Sequence, residues 1–481
     1  MNEVLPVTET QSTPRVGTIV GVDVGGTFTD LFYFDEAKRE FRTGKVPSNR
    51  GDEAVGFLEG LKGFGALADL DSIVHGTTVG TNALLERKGA KVGLITTAGF
   101  RDVLEMRRRD RRATWGLTGD FIPVVERDFR MEVGERVLAS GEIREAVDAE
   151  EVKAAARALL DKGAEALAIV FMNAYANPAN EIAAIEAARS VWPNEHVERS
   201  SAILPEIREF ERTSTTALNA YLQPGVGSYL AKLEGALESE DFAGKFHIVQ
   251  SNGGVMSTET ARRLPARTAL SGPAAGVIAA AAIAEAAGFP DVITGDLGGT
   301  SFDVSLITGG KTALAAQTTV DFGLVIRTPM IEITTIGAGG GSIAHVDAGG
   351  LLQVGPESAG SRPGPVCYGQ GGDRPTLTDA NVVLGRINAD RPIGGKLDRL
   401  DVEAAKAAIQ EHVAGPLGLG VMAAAEAIVR VADGKMAGAI RLMSIERGHD
   451  PSRFAAVPFG GGGALHAGAL IKDVGLKAAL V

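Results

Sequence analysis

Residues 18–24 and 31–34 read as short strand signals on either side of an acidic, glycine-rich turn, which predicts a hairpin near the start of the chain. Helical spacing follows at 81–88, and 91–97 supplies another short β run. An alanine-rich helical pattern over 149–162 leads into a buried strand at 166–172, closed by the turn Asn173-Ala-Tyr-Ala-Asn-Pro178. A helix over 182–191 is stopped by Trp192-Pro193, and the turns Ser200-Ser201 and Leu204-Pro205 lead to a long helix over 209–222. The alternation resumes with a strand at 245–250, a loop at Ser251-Asn-Gly-Gly254, a helix over 274–287 and a strand-turn unit over 292–303. Helices follow at 402–413 and 424–441. Strands and helices that alternate in both halves predict α/β layers rather than segregated sheets and bundles. Residues 337–378 break the pattern with a Gly- and Pro-rich stretch, which is either a functional loop or an excursion between lobes.

The most informative strings are Gly21-Val-Asp-Val-Gly-Gly-Thr-Phe-Thr-Asp30 and Gly295-Asp-Leu-Gly-Gly-Thr-Ser-Phe-Asp303. Each follows a β-branched apolar run and sets an aspartate before two glycines and a threonine. Adjacent glycines let backbone close on a phosphate, and the threonine adds a hydroxyl donor. One copy is weak evidence, but two copies a domain's length apart predict a duplicated α/β fold that grips a nucleotide from both sides. The chain has no Gly-x-x-x-x-Gly-Lys-Ser/Thr string, and neither copy continues as a Rossmann fingerprint. The expected organisation is a flexible tail at 1–16, a first lobe at 17–205 and a second at 206–481, with the crossover near residues 200–212.

Composition narrows the ligand question. With 481 residues, 45% hydrophobic and 22% charged, the chain is long enough for two or three domains with separate cores. The single cysteine, Cys367, excludes a disulfide framework within the chain and fits a reducing compartment. A net charge of -12 argues against a general nucleic-acid or anionic-membrane binder, so local donors must hold any phosphate. The first residues lack a basic segment followed by an apolar one, which leaves a cytoplasmic location as the default expectation. Apolar runs such as 276–287 are short, alanine-rich and interrupted by glutamate, so they read as buried helices rather than membrane spans.

Asp23 and Asp296 occupy equivalent places in the two turns, where a carboxylate beside phosphates holds Mg2+ through water or orients a nucleophile. Gly25, Gly26, Gly298 and Gly299 are expected to supply backbone N–H groups, and Thr27 and Thr300 hydroxyls. Asp30 and Asp303 close the turns in either a structural or a metal-associated role. Phe459-Gly-Gly-Gly-Gly-Ala-Leu-His466, with Gly460, Gly461 and Gly462, is a candidate adenosine pocket; Gly339 and Gly340 within Gly337–Gly341 form a second, and either stretch read alone fits a flexible loop equally well. The basic segment 101–112 is a solvated helix or an anion-contacting surface. Cys367, Asp379 and His345 are competent ligands for a further divalent metal, although their spacing matches no compact zinc template, and a buried thiol with a helix-capping aspartate is the simpler reading. No Gly-x-Ser-x-Gly elbow is present.

Together with Val74-His-Gly-Thr-Thr-Val-Gly-Thr-Asn-Ala83, Gly93-Leu-Ile-Thr-Thr-Ala-Gly-Phe-Arg-Asp102, Ser271-Gly-Pro-Ala-Ala-Gly276, Pro365-Val-Cys-Tyr-Gly369 and Pro375-Thr-Leu-Thr-Asp-Ala-Asn381, these strings resemble the ATP-dependent hydantoinase A / 5-oxoprolinase family. Its relatives include the ATP-binding subunits of acetone and acetophenone carboxylases. The resemblance runs from about residue 17 onward. It implies a two-lobed actin/sugar-kinase/Hsp70-like (ribonuclease H-like) fold, ATP with Mg2+, and phosphorylation of an amide or enolate oxygen. The small-molecule substrate is then a cyclic amide of the hydantoin or 5-oxoproline type, or a ketone in the carboxylase branch. A sugar-type kinase or an ATP-driven binding protein is the alternative that the fold alone permits. The resemblance also implies a hydantoinase B-type partner subunit, an oligomeric assembly and a further C-terminal region that this sequence does not include. It places His75 near the interlobe cleft as a catalytic candidate, where Thr77, Thr78 and Asn82 contact substrate or the γ-phosphate; the alternative is a capping loop with an exposed histidine.

Overall fold

A computed structural model describes residues 17–24, 28–47, 53–111, 121–360, 362–392 and 397–481. The chain begins with β1 (Thr18–Val24), β2 (Phe28–Asp35) and β3 (Glu40–Pro47), an antiparallel meander. Val20, Val22 and Val24 alternate inward along β1, as a strand with one face on a core requires. Helix α1 (Glu53–Lys62) buries Phe57 and Leu61 in that core, and Leu31 of β2 faces Gly60, where a Cβ would come within 2.5 Å of it. β4 (Ser72–Thr77) then pairs parallel with β1, and α2 (Val79–Leu85) follows.

A second sheet is entirely parallel, and its two central strands, 92–97 and 166–170, are buried at every position because both their faces are covered. It contains β5 (Val92–Thr97), β6 (Arg130–Val133), β7 (Ala166–Val170) and β8 (Val197–Arg199) in the order β8-β7-β5-β6. Helix α3 (Ala149–Asp161) is capped by Asp148, which accepts from Glu150 N, and buries Val152, Ala156 and Leu159 on one stripe. Helix α4 (Ala179–Arg189) packs beside it. Helix α5 (Glu209–Glu238) is longer than expected from sequence. It continues through Pro224 because Leu230, Leu233 and Leu237 prolong its buried stripe, and that packing outweighs the one N–H the proline withholds. β9 (Lys245–Val249) and β10 (Val255–Ser257) complete the first sheet, in the order β10-β9-β4-β1-β2-β3.

The chain divides into two compact units, one ending at Gly272 and taking in Gln317–Thr328, the other holding Pro273–Ala316 and Pro329–Val481. The segment after residue 205 stays with the first unit because α5 packs along β7 and against the hairpin Thr318–Asp321/Leu324–Ile326, where Ser214 Oγ donates to Val325 O at 2.8 Å.

The second unit repeats the first sheet's plan. Helix α6 (Ser271–Ala286) leads to β11 (Val292–Leu297), which pairs antiparallel with β12 (Phe302–Thr308). β13 (Lys311–Thr312) and β14 (Thr334–Ile336) both pair with β12. The stretch expected to be irregular is more ordered than its Gly and Pro content suggests, because β15 (Ser342–Val346) and β16 (Leu352–Ser358) form a hairpin within it. Helices α7 (Leu377–Val383), α8 (Val402–Ile409) and α9 (Val421–Met443) follow, with Ile428, Met436 and Ile440 of α9 fully in the core. β17 (Ala455–Phe459), α10 (Gly463–Val474) and β18 (Ala478–Ala479) complete the unit, with β17 parallel to β11 and β18 parallel to β17. Among the described residues, no single helix is long and apolar enough to cross a membrane.

Candidate functional site

In the second unit, three glycine runs meet at the end of β11. Asp296 stands opposite Asp303 of β12 on one side and beside Phe459 of β17 on the other. The Gly298–Ser301 turn closes with Gly298 N donating to Ser301 O at 3.0 Å, and Gly298, Gly299 and Thr300 are exposed. The Gly339–Gly341 backbone lies directly against that turn: Gly340 N donates to Gly298 O at 2.9 Å and Gly341 N to Gly299 O at 2.6 Å. A Cβ on Gly339 would stand 2.5 Å from the Thr300 carbonyl carbon, so only glycine permits this approach. Thr378 of α7 secures the loop from behind, its N and Oγ1 each donating to Gly340 O at 2.8 Å.

The third run arrives from β17. Gly460 has φ +78°, and a Cβ there would collide with Asp296 Oδ1. Gly462 N donates to Leu297 O at 3.2 Å, while Gly461 has open space where a Cβ would be. Helix α10 starts at the next residue. Asp303 accepts from Thr335 Oγ1 of β14 at 2.5 Å and from Ser301 Oγ at 3.4 Å. Desolvation holds its carboxyl above the usual range, and the two hydroxyls pull it part of the way back.

The first unit presents the same strand arrangement. Asp23 stands opposite Asp30 and beside Gly76 of β4, where a Cβ would lie 3.2 Å from Asp23 Oδ1; a Cβ on Gly272 would lie 3.5 Å from the same oxygen. Desolvation and the Asp30 charge raise the Asp23 carboxyl, and Lys45 partly offsets them. Lys45 of β3 faces Asp30 directly, Nζ to Oδ1 at 2.7 Å. Gly25, Gly26 and Thr27 lie outside the described residues.

The residues expected near substrate divide into buried and accessible groups. His75 lies within β4, not in an exposed capping loop, and is completely buried. Its Nδ1 is 3.2 Å from Val22 O, its Nε2 is 2.9 Å from Tyr229 Oη, and its ring packs on Phe57 and Phe246. Burial lowers its pKa to about 4, so it is neutral and held in the core. Thr77 is buried as well, with its carbonyl accepting from Ser271 Oγ at 3.1 Å. Thr78 and Asn82 remain accessible: Thr78 Oγ1 donates to Val24 O at 3.1 Å and accepts from Asn82 Nδ2 at 3.3 Å.

The metal set expected from Cys367, Asp379 and His345 does not assemble. The Asp379 carboxylate is occupied by Val366 N, Cys367 N, and Thr376 N and Oγ1, all within 3.1 Å, and its bond from Thr376 N belongs to the capping box that starts α7. Burial and this carboxylate push the Cys367 thiol far up, which keeps it a thiol. His345 sits on β15 opposite Gln353. Among the described residues, no group of three or more His, Cys, Asp or Glu side chains is placed to hold a metal. The basic segment forms only one short helix, Val103–Met106, and turns its next arginines onto protein. Arg108 Nε donates to Glu211 at 2.8 Å, and Arg107 lies over the Phe121 and Phe322 rings at 4.4 and 4.5 Å; Arg112 falls outside the described residues.

Sequence reading missed Thr335 and Lys45, the side chains opposite the second aspartate of each turn. The register of β3 and β14 singles them out, and no local motif does. It also missed the buried pair of α10 and α9 in which His466 Nδ1 lies 2.5 Å from Asp433 Oδ1.

A strand-hairpin carrying paired aspartates, with glycine loops converging on it from two other segments, thus sits within an α/β fold of mixed sheets. The family model described as Hydantoinase/oxoprolinase matches residues 212–481, and that described as Hydantoinase/oxoprolinase N-terminal region matches residues 19–192. This chain belongs to the hydantoinase/oxoprolinase family. It is 38% identical to caprolactamase subunit alpha of Pseudomonas jessenii, over 96% of this chain and 68% of the relative, and 35% identical to the acetophenone carboxylase gamma subunit of Aromatoleum aromaticum, over 95% and 65%. The crystal structure of ATP-dependent caprolactamase from Pseudomonas jessenii is similar with a TM-score of 0.85 at 37% identity, covering 96% of this chain and 68% of that one. The chain therefore spans about two thirds of the length of these relatives.

Proposed function

We propose that this chain is the ATP-dependent subunit of a cyclic amide hydrolase, which phosphorylates the carbonyl oxygen of a hydantoin- or 5-oxoproline-type ring and so activates it for opening. The observation that carries the reading is the convergence of the 298–301, 339–341 and 460–462 backbones on Asp296. The repeated strand plan in the two units supports a duplicated actin/sugar-kinase/Hsp70-like fold. The space kept by Gly460 beside Asp296 Oδ1, and the two facing carboxylates of Asp296 and Asp303, suit a hydrated Mg2+ carried on ATP. Held by Asp296 and Asp303, Mg2+ would neutralise charge on the transferring phosphoryl group.

The chain's own groups do the remaining work. Exposed backbone at Gly298, Gly299 and Thr300 orients the phosphates, and Gly461 and Gly462 leave a flat wall for the purine. An amide carbonyl is a poor electrophile because nitrogen donates into it. When its oxygen attacks the γ-phosphorus, the bond from that phosphorus to the β,γ-bridging oxygen breaks and ADP departs. Water then adds to the carbon of the imidate phosphate, the nitrogen takes up a proton and the C–N bond of the tetrahedral adduct breaks to leave an acyl phosphate, which a second water hydrolyses to the carboxylate and phosphate. A partner subunit of the hydantoinase B type completes the second half in this reading. Similarity to acetophenone carboxylase gamma subunit favours one alternative, phosphorylation of a ketone enolate for carboxylation.

ATP hydrolysis by the chain, alone and with its partner, measured with hydantoin, 5-oxoproline and caprolactam against acetophenone or acetone plus bicarbonate, separates the two. Stimulation by a cyclic amide supports the hydrolase. Stimulation only by ketone with bicarbonate selects the carboxylase, and turnover indifferent to every carbonyl compound rejects both.

A further inference from the structure

Apart from its paired aspartates, the first unit holds a cavity of about 340 Å³. Its walls come from the end of α2, the loop that leads into β5, the segment around residues 122–129, and α5. That volume lies at the lower end of the roughly 300–1,000 Å³ range of ligand pockets, so it suits a small molecule. The floor is apolar: Val92, Phe129 and Leu324 line it and are themselves buried. Tyr221 of α5 lines it too, and Gly89 makes room for the ring, because a Cβ at that position would collide with it. Tyr221 is only 8% exposed, yet its hydroxyl makes no hydrogen bond among the described residues. A hydroxyl enclosed to this degree is normally satisfied, so one left without a partner beside a cavity marks the place of a ligand acceptor.

Charges of both signs surround this floor. Arg87 is already engaged, donating to Asp321 Oδ2 at 2.7 Å and to Ile122 O at 2.9 Å, which braces the rim. Lys91 has no carboxylate partner among the described residues, and its Nζ lies 5.0 Å from the centre of the Phe129 ring. Glu126 is exposed and forms no ion pair among the described residues, while Glu165 commits Oε2 to Lys91 N at 2.8 Å and keeps its other oxygen. A simple carboxylic acid would answer the ammonium and leave the two carboxylates unmatched, and a simple amine would do the reverse. A molecule with both groups on a short apolar frame answers all of them. We propose that this cavity binds a small zwitterion with an apolar body, an α- or ω-amino acid. Its carboxylate accepts from Lys91 Nζ and Tyr221 Oη, its ammonium donates to Glu126 and Glu165, and its carbon chain rests on Val92, Phe129 and Leu324. Opening a lactam such as 5-oxoproline leaves an amine and a carboxylate on one carbon chain, so under the reaction proposed above such a ligand resembles the product; the binding itself does not rest on that reading.

Isothermal titration of the chain with L-leucine and with 6-aminohexanoate, in the absence of ATP, tests the assignment. At least one of the two should bind saturably, and the singly charged analogues hexanoate and hexylamine should bind at least about tenfold more weakly. Lys91→Met and Tyr221→Phe, each checked for a parental melting temperature, should each weaken the binding about five- to tenfold. Absence of saturable binding of both zwitterions up to about 10 mM overturns the proposal. Equal binding of a singly charged analogue overturns it as well, and so does parental affinity in both variants, because the ligand then sits elsewhere. Since no nucleotide is present, a failure here leaves the proposed reaction standing, and ATP turnover indifferent to carbonyl compounds would leave this site standing.

Discussion

Two copies of one strand-turn-strand design meet different surroundings in this chain. In each, a first aspartate, Asp23 or Asp296, faces a second, Asp30 or Asp303, across an antiparallel pair, and a third strand supplies the residue opposite that second carboxylate. In the first unit this residue is Lys45, a cation; in the second it is Thr335, a hydroxyl. The first pair of carboxylates thus has a fixed positive charge beside it, while the second pair has two hydroxyls against Asp303. Glycine loops from two other segments close on the second copy and hold Asp296 at one edge of a backbone cradle. The backbone plan is the same in both copies, and the neighbouring strand decides how much negative charge each copy offers to a cation.

The largest expected effect tests whether the second copy is the catalytic one. Asp296→Ala should lower ATP turnover by about 10²–10³-fold while the melting temperature stays within a few degrees. Turnover within threefold of the parent would break the comparison.

His75 comes next, through stability. Its pKa is about 4 in the fold against 6.5 for the ordinary side chain, so the unfolded chain takes up the proton first as pH falls. Its contribution is complete above about pH 6.5 and is lost toward pH 4, a change of roughly 3 kcal/mol. Urea midpoints measured from pH 7.5 down to 4.5 should show that loss, and His75→Gln should flatten it while costing about 1–3 kcal/mol at neutral pH. A variant with parental stability but no ATP turnover would instead return His75 to the reaction.

Smaller effects sharpen the contrast between the third-strand residues. Thr335→Val removes a hydroxyl that lowers the Asp303 carboxyl, so the acid limb of the ATP turnover profile should move to higher pH, with turnover down roughly fivefold at neutral pH. An unmoved profile would separate Asp303 from turnover. Lys45→Ala is expected to cost only about 0.2–1 kcal/mol of folding stability, read by urea titration, because both partners of its ion pair are substantially exposed. A loss of ATP turnover comparable with that of Asp296→Ala would show that the two copies do equal work.

The paired turns were legible in sequence because their chemistry is local: an aspartate, two glycines and a threonine in succession need no partner to be recognised. The alternation that predicts α/β layers was legible for the same reason, and β5, β7 and α3 lie close to where periodicity puts them. His75 was misread because a string of small polar residues looks like a loop. Pairing of β4 between β1 and β9 turns that string into a central strand, and Tyr229 from a distant helix satisfies the ring. Asp379 and Cys367 are competent ligands by residue type, but the simpler reading, a buried thiol beside a helix-capping aspartate, is the one that holds, with the carboxylate taken up by four hydrogen-bond donors.

The sequence by itself determined the two acidic turns, the α/β alternation and the glycines that permit close backbone approach, since each depends on neighbours a few residues away. Tertiary structure alone decided that residues near 298, 340 and 461 share one cradle, and that Lys45 and Thr335 stand at matching places. Those outcomes rest on strand register and on packing between segments far apart in the chain, and no local pattern of residues encodes either.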